Sequence, residues 1–258
     1  MTDKTGSHFQ RRFDVVLFDL GSTLIYFEGD WNEVMARSAQ ALAHSLKEGG
    51  LDIDEGPFIK AFNDRIRAYH IERDKEFIEY TTEYVLRILL EDMGKEDLSS
   101  LRLRPSLDAM YRVTEEHWNL DEETIPMLET LGEQGYQISL ISNAADAHNV
   151  NRLLDKMNLR PYFGLILVSA SVGIRKPHPR IFLMALDRWK VRPHQVVMVG
   201  DTLSADILGA RRVDIAGVWI NRWAGAPSSR VYEDAIEPDA TIGSLCELPE
   251  LLLNWQDI

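Results

Sequence analysis

The amino-acid sequence predicts an α/β fold: a parallel sheet core with helices on both faces, joined to a smaller, wholly helical domain. Three observations carry this reading. A lone apolar run near the N-terminus ends in a carboxylate, "VVLFDLGSTL". Four more apolar runs alternate with helical patterns in the C-terminal half. Between the two, residues 28–118 show helical periodicity and no convincing strand.

The first run, "DVVLFDL" (14–20), is nearly continuous in apolar residues, as expected of a strand buried on both faces. Trp31, Val34, Met35, Ser38 and Leu42 then recur at helical spacing. So do Phe58, Phe62, Ile66 and Tyr69, and after them Phe77, Tyr84 and Ile88. "EGGLDIDEGP" and "MGKEDLSS" read as the connections between these helices. "ETIPMLETLGEQG" is a helix ending at Gly135, followed by the strand "YQISLIS" (136–142) and the helix "AHNVNRLLDKMN". "GLILVSA" (164–170), the helix "PRIFLMALDRWK", "QVVMVGD" (195–201) and "IAGVWIN" (215–221) continue the alternation. Strands and helices in this rhythm build a parallel sheet with right-handed crossovers. The core is therefore expected over residues 12–27 and 119–258, with residues 28–118 as the helical insert over the strand ends.

Composition narrows the function classes. An apolar content of 45% with 27% charged residues is ordinary for a soluble protein and ample for a sizeable core. Forty-one acidic against 28 basic residues give a net charge of −13, which argues against nucleic acid and anionic membranes as partners. The single cysteine, Cys246, excludes an internal disulfide and fits a reducing compartment. The opening "MTDKTGSHFQRR" is polar and lacks an apolar signal core, and no run approaches the ~20 apolar residues of a membrane span. A cytoplasmic location is the expectation.

Parallel sheets bind ligands at the carboxyl ends of their strands, and chemistry-bearing residues collect there. Asp19 ends the first strand and Ser142 the second. Lys176 follows the third in "VGIRKPHP", and Asp201 and Asp206 follow the fourth in "VGDTLSAD". Such a set has a use in phosphoryl chemistry. A carboxylate can attack phosphorus and form an aspartyl-phosphate intermediate. Magnesium, an oxygen-seeking ion held by carboxylates and substrate phosphate, offsets the repulsion between the two anions. A lysine and a hydroxyl hold the remaining phosphoryl oxygens.

In these motifs the chain resembles the haloacid dehalogenase-like (HAD) hydrolase superfamily, from about residue 13 over nearly its whole length. The four family motifs are matched in order by "VVLFDLGSTL", "ISLISNA", "VGIRKPHPRIF" and "VVMVGDTLSADILGA". The resemblance implies a Rossmann-like core and a helical cap located between motifs one and two. It implies a magnesium-dependent phosphatase for a small phosphorylated metabolite, with Asp19 as nucleophile. By the same resemblance Ser142, Asn143 and Lys176 bind the phosphoryl group. Asp19, Asp201, Asp206 and the backbone carbonyl of Gly21 serve the metal. Thr23 would brace the motif-one loop by a hydrogen bond or a turn role.

One departure matters. The family's phosphatases usually carry a second Asp two residues after the nucleophile, which protonates the leaving oxygen and later deprotonates water. Here that residue is Gly21. What is lost is general acid–base catalysis, typically worth ~10²–10⁴-fold. A bias toward aryl, acyl or anomeric phosphates over alkyl phosphates follows, together with a burst of first product. Gly21→Asp is then expected to raise turnover on alkyl phosphates most. Glu28 and Asp30 are the nearest candidates for a substitute acid. Two other readings stay open: a haloacid dehalogenase-type hydrolase, and a catalytically weak relative that binds a phosphate ligand. The intact "GDTLSAD" favours metal-dependent chemistry over the first. A Schiff-base lysine, as in the carbon–phosphorus branch, would have to come from Lys47, Lys60, Lys75 or Lys95. Cap side chains such as Tyr69, His70, Tyr84, His117 or Trp118 would set specificity.

Overall fold

The computed structural model describes residues 11–96, 98–222 and 236–255, so most of the polar N-terminal stretch lies outside the described residues. The first strand, β1 (Val15–Phe18), is followed by β2 (Ile25–Phe27) and four helices. These are α1 (Trp31–Glu48), α2 (Glu55–Glu76), α3 (Thr82–Asp92) and α4 (Ser100–Glu115). The chain returns through β3 (Trp118–Leu120), α5 (Thr124–Glu133), β4 (Gln137–Ser142), α6 (Ala147–Lys156) and β5 (Leu165–Val168). It continues through α7 (Ser169–Val172), α8 (Pro179–Trp189), β6 (Val196–Gly200), α9 (Leu208–Arg211), β7 (Ala216–Ile220), β8 (Ala240–Ile242) and α10 (Leu248–Leu253).

All five runs expected as strands pair in one parallel sheet of order β5-β4-β1-β6-β7-β8. The continuous apolar character of β1 is explained by its central place. Val16 and Phe18 face one core together with Ile138, Leu140, Val197 and Val199. Val15 and Leu17 face the other with Ile141, Met198 and Phe182. Both faces being dry, no position on the strand can be polar without an orphaned group.

The four helices α1–α4 close on a core of their own that includes Leu42, Leu46, Phe58, Leu86, Leu90 and Leu107. Local chemistry fixes where the helices begin. Asp30 accepts a hydrogen bond from Glu33 N at 2.9 Å, and Thr81 from Tyr84 N at 3.1 Å, each satisfying an otherwise open first-turn donor.

Three strands escaped the sequence pattern. The strand β8 completes the sheet beside β7, and β2 pairs antiparallel with β3 through Ile25↔Leu120, Tyr26↔Asn119 and Phe27↔Trp118. Three residues are too few for a period-two signal, and β2 and β3 lie far apart in sequence. The expectation that no strand occurs up to residue 118 is corrected at Trp118, which opens β3.

The helical unit docks onto the core in several places. Ile78 bridges Ile174, with Glu79 N donating to Gly173 O (3.1 Å) and Arg175 N to Phe77 O (3.0 Å). Arg104 pairs with Asp146 at 2.7 Å, and Arg152 with Glu115 at 2.7 Å. The side chain of Glu79 is buried; it accepts from Tyr69 Oη (2.6 Å) and Ser169 Oγ (2.8 Å) and lies 3.5 Å from Arg175.

Candidate active site

The sheet ends, and the loops that follow them, enclose a cavity of about 330 Å³. Asp19, immediately after β1, is fixed by its backbone N–H donating to Val199 O at 3.0 Å. Lys176 reaches in from the loop after α7 and is 2% exposed. Its Nζ lies 2.6 Å from Asp19 Oδ1 and 2.6 Å from Asp206 Oδ1. Asp206 belongs to a π-helical turn, Leu203–Ile207, and its other oxygen accepts from Thr202 N at 3.0 Å. Asp201 follows β6 directly, and its carbonyl accepts from Trp219 Nε1 at 2.8 Å.

Gly200 makes this packing possible. A Cβ there would overlap the Asp206 carboxylate, so only a residue without a side chain lets the π turn fold back against the strand end. The sequence reading did not single it out, although the "GD" pair was visible.

The charges do not balance by themselves. Burial opposes the charge on Lys176, yet the carboxylates of Asp19 and Asp206 outweigh burial and hold the ammonium above its ordinary range. Burial, then the repulsion of Asp19 and Asp206, pushes the Asp201 carboxyl well up. Burial likewise raises Asp206, to about 6, against the pull of Lys176. One carboxylate oxygen from each of Asp19, Asp201 and Asp206 lies within 4.8 Å of the others. Three buried acids around one lysine are a set of hard oxygen donors with excess negative charge. They fit a divalent cation and would be its protein ligands.

Ser142, Asn143, Gly21 and the residues just described all line the one cavity. Asn143 ties two of the motifs together. Its Nδ2 donates to Lys176 O (2.9 Å) and its Oδ1 accepts from Lys176 N (2.8 Å). Both ends of the amide thus clamp motif two to motif three. The hydroxyl of Thr23 is buried and has no hydrogen-bond partner among the described residues, so it does not brace the loop that way.

Other candidates fall elsewhere. Glu28 accepts from Asn119 Nδ2 at 3.2 Å and Asp30 caps α1; neither lines the cavity, nor do Lys47, Lys60, Lys75 and Lys95. Tyr69 and Tyr84 line a separate cavity within the helical unit, with His70 packed beside Tyr69. His117 Nδ1 lies 2.7 Å from Glu28 O. Of the named cap aromatics Trp118 alone reaches the sheet ends. A Cβ at Gly21 would stand 3.2 Å from its Cη2. Thr202, Asn149 and Arg175 also line the cavity and were not anticipated. The first and last adjoin motif acids or bases and could have been read from that adjacency.

This arrangement is that of a hydrolase, and the chain belongs to the haloacid dehalogenase-like hydrolase family, whose family model matches residues 13–214. Over 242 residues it is 26% identical to the glyceraldehyde 3-phosphate phosphatase of Pyrococcus furiosus, covering 94% of this chain and 92% of that one. Among solved structures it is similar to a 2-haloacid dehalogenase from Pseudomonas syringae pv. Tomato (27% identity, TM-score 0.69, 95% and 100% covered). A HAD phosphatase from Thermococcus onnurineus shares the fold at 24% identity and a TM-score of 0.65, with 93% and 98% covered.

Proposed function

We propose that the protein is a magnesium-dependent phosphatase acting on a small phosphomonoester. The observation that carries this is the gathering of Asp19, Asp201 and Asp206 around buried Lys176 at the carboxyl ends of the strands. The name of the Pyrococcus relative, a phosphatase, supports it. Residues 28–118 act in this reading as a cap over a core made of residues 12–27 and 119–258.

The Asp19 oxygen attacks phosphorus, the bond from phosphorus to the leaving oxygen breaks, and the leaving group takes the electron pair. Lys176 holds Asp19 in place and, with the Ser142 hydroxyl, faces the phosphoryl oxygens. Asn143 keeps Lys176 at that position through its backbone. Water then attacks the phosphorus of phospho-Asp19, releasing inorganic phosphate and restoring the carboxylate, with the water proton passing to phosphate or solvent. A magnesium ion held by Asp19, Asp201, Asp206 and the Gly21 carbonyl would supply charge neutralisation.

The test is a phosphometabolite panel with and without magnesium. Asp19→Asn is expected to abolish turnover, because an amide does not attack phosphorus. Asp201→Ala is expected to raise the magnesium requirement and lower activity by orders of magnitude. Substantial hydrolysis by the purified Asp19→Asn protein would sink the mechanism. Full activity in chelator would overturn the magnesium requirement, and turnover of a 2-haloacid but of no phosphate ester would instead favour carbon–halogen hydrolysis at Asp19, the reading suggested by the Pseudomonas neighbour.

A further inference from the structure

We infer that Trp118 determines specificity by forming an aromatic wall for the leaving group, and that the preferred substrates are monophosphates of flat, uncharged aryl groups. This rests on the phosphatase reading. The observation is the contact across Gly21. The six-membered edge of the indole comes within 3.2–4.0 Å of where a Cβ would stand, so Trp118 fills the space a side chain at that position would claim. The ring is held there from below. Phe27, its partner across the β2–β3 pair, meets it edge-to-face at 5.3 Å between centroids.

The rest of the cavity is divided by chemistry. Ile25, Val150 and Leu153 add apolar surface to that of Trp118, while Asp19, Ser142, Lys176 and the motif-four acids make the polar end. An aromatic body gains most against such a wall, by stacking as well as by area. Two cations line the cavity, and both are engaged: Lys176 by Asp19 and Asp206, Arg175 by Glu79. Each cation thus already faces a carboxylate, and an uncharged leaving group leaves both pairs undisturbed. The kinetics point the same way. With Trp118 in place of an acid, the oxygen departs unprotonated, and an aryl oxide tolerates this far better than an alkoxide.

Binding of three non-hydrolysable probes to the whole protein by titration calorimetry, with magnesium present, tests this. Phenylphosphonate is expected to bind about tenfold more tightly than methylphosphonate, and more tightly than cyclohexylphosphonate, a saturated ring of similar size. Trp118→Ala should erase the preference and Trp118→Phe should keep most of it. Equal binding of phenyl and methyl probes would overturn the inference while leaving the phosphate site standing. Equal binding of phenyl and cyclohexyl probes would overturn the aromatic assignment. Failure of all three to bind would remove the phosphate-site reading and this inference with it.

Discussion

Gly21 and Trp118 act as one unit, and that changes what a substitution at position 21 can do. Introducing Asp alone drives a side chain against the indole, whose own packing on Phe27 resists displacement. Gly21→Asp is therefore expected to bring no gain on alkyl phosphates, contrary to the expectation from sequence. Gly21→Asp combined with Trp118→Ala frees the space and should raise alkyl-phosphate kcat toward the ~10²-fold of a positioned acid. Steady-state rates of the two variants on one alkyl and one aryl phosphate check this. The contrast also shows what sequence could reveal. Asp19, Ser142, Lys176, Asp201 and Asp206 were legible because each follows a strand within a short motif. The tenant of the empty space at Gly21 was not, since it arrives from the far end of the helical insert through a contact that no spacing encodes.

The junction of β6 with the π turn depends on a missing side chain as much as the motif-one loop does. Adding one methyl group at Gly200 pushes Asp206 off the strand end and away from both Thr202 N and Lys176. Gly200→Ala should destabilise the fold by about 1–3 kcal/mol, the usual range for overpacking. It should also weaken magnesium binding, because one of the three acids moves. Chemical denaturation and a magnesium titration of the variant measure the two effects separately; an unchanged magnesium affinity would show that Asp206 is not a ligand. At this level the sequence was informative where runs were long. The strands β1, β4, β5, β6 and β7 were legible from apolar runs, whereas β2, β3 and β8 span three residues each and offer no period.

Across the molecule, the site couples stability to pH. Burial, and after it the repulsion of Asp19, raises Asp201 and Asp206, the latter from 3.8 to about 6. The folded protein without a cation therefore holds protons that the unfolded chain has already released between those values. Stability of the cation-free protein then falls as pH rises through about 6. A divalent ion competes with the same protons and restores stability above that point. Thermal denaturation in chelator and in magnesium, at pH 5 and pH 7.5, should show a larger magnesium-induced rise in Tm at the higher pH. No helix among the described residues is long and apolar enough to cross a membrane. The pairing of β2 with β3 has a consequence of another kind. Because the strand that leads into the helical unit lies hydrogen-bonded to the strand that leads out, the chain enters and leaves the insert through a single doorway. Whatever occupies the space beyond that doorway leaves the register of the parallel strands untouched. A change inside the insert would be felt at Asp19 by two routes: through Trp118 on the threshold, and through Glu79, whose carboxylate lies 3.5 Å from Arg175, the neighbour of Lys176.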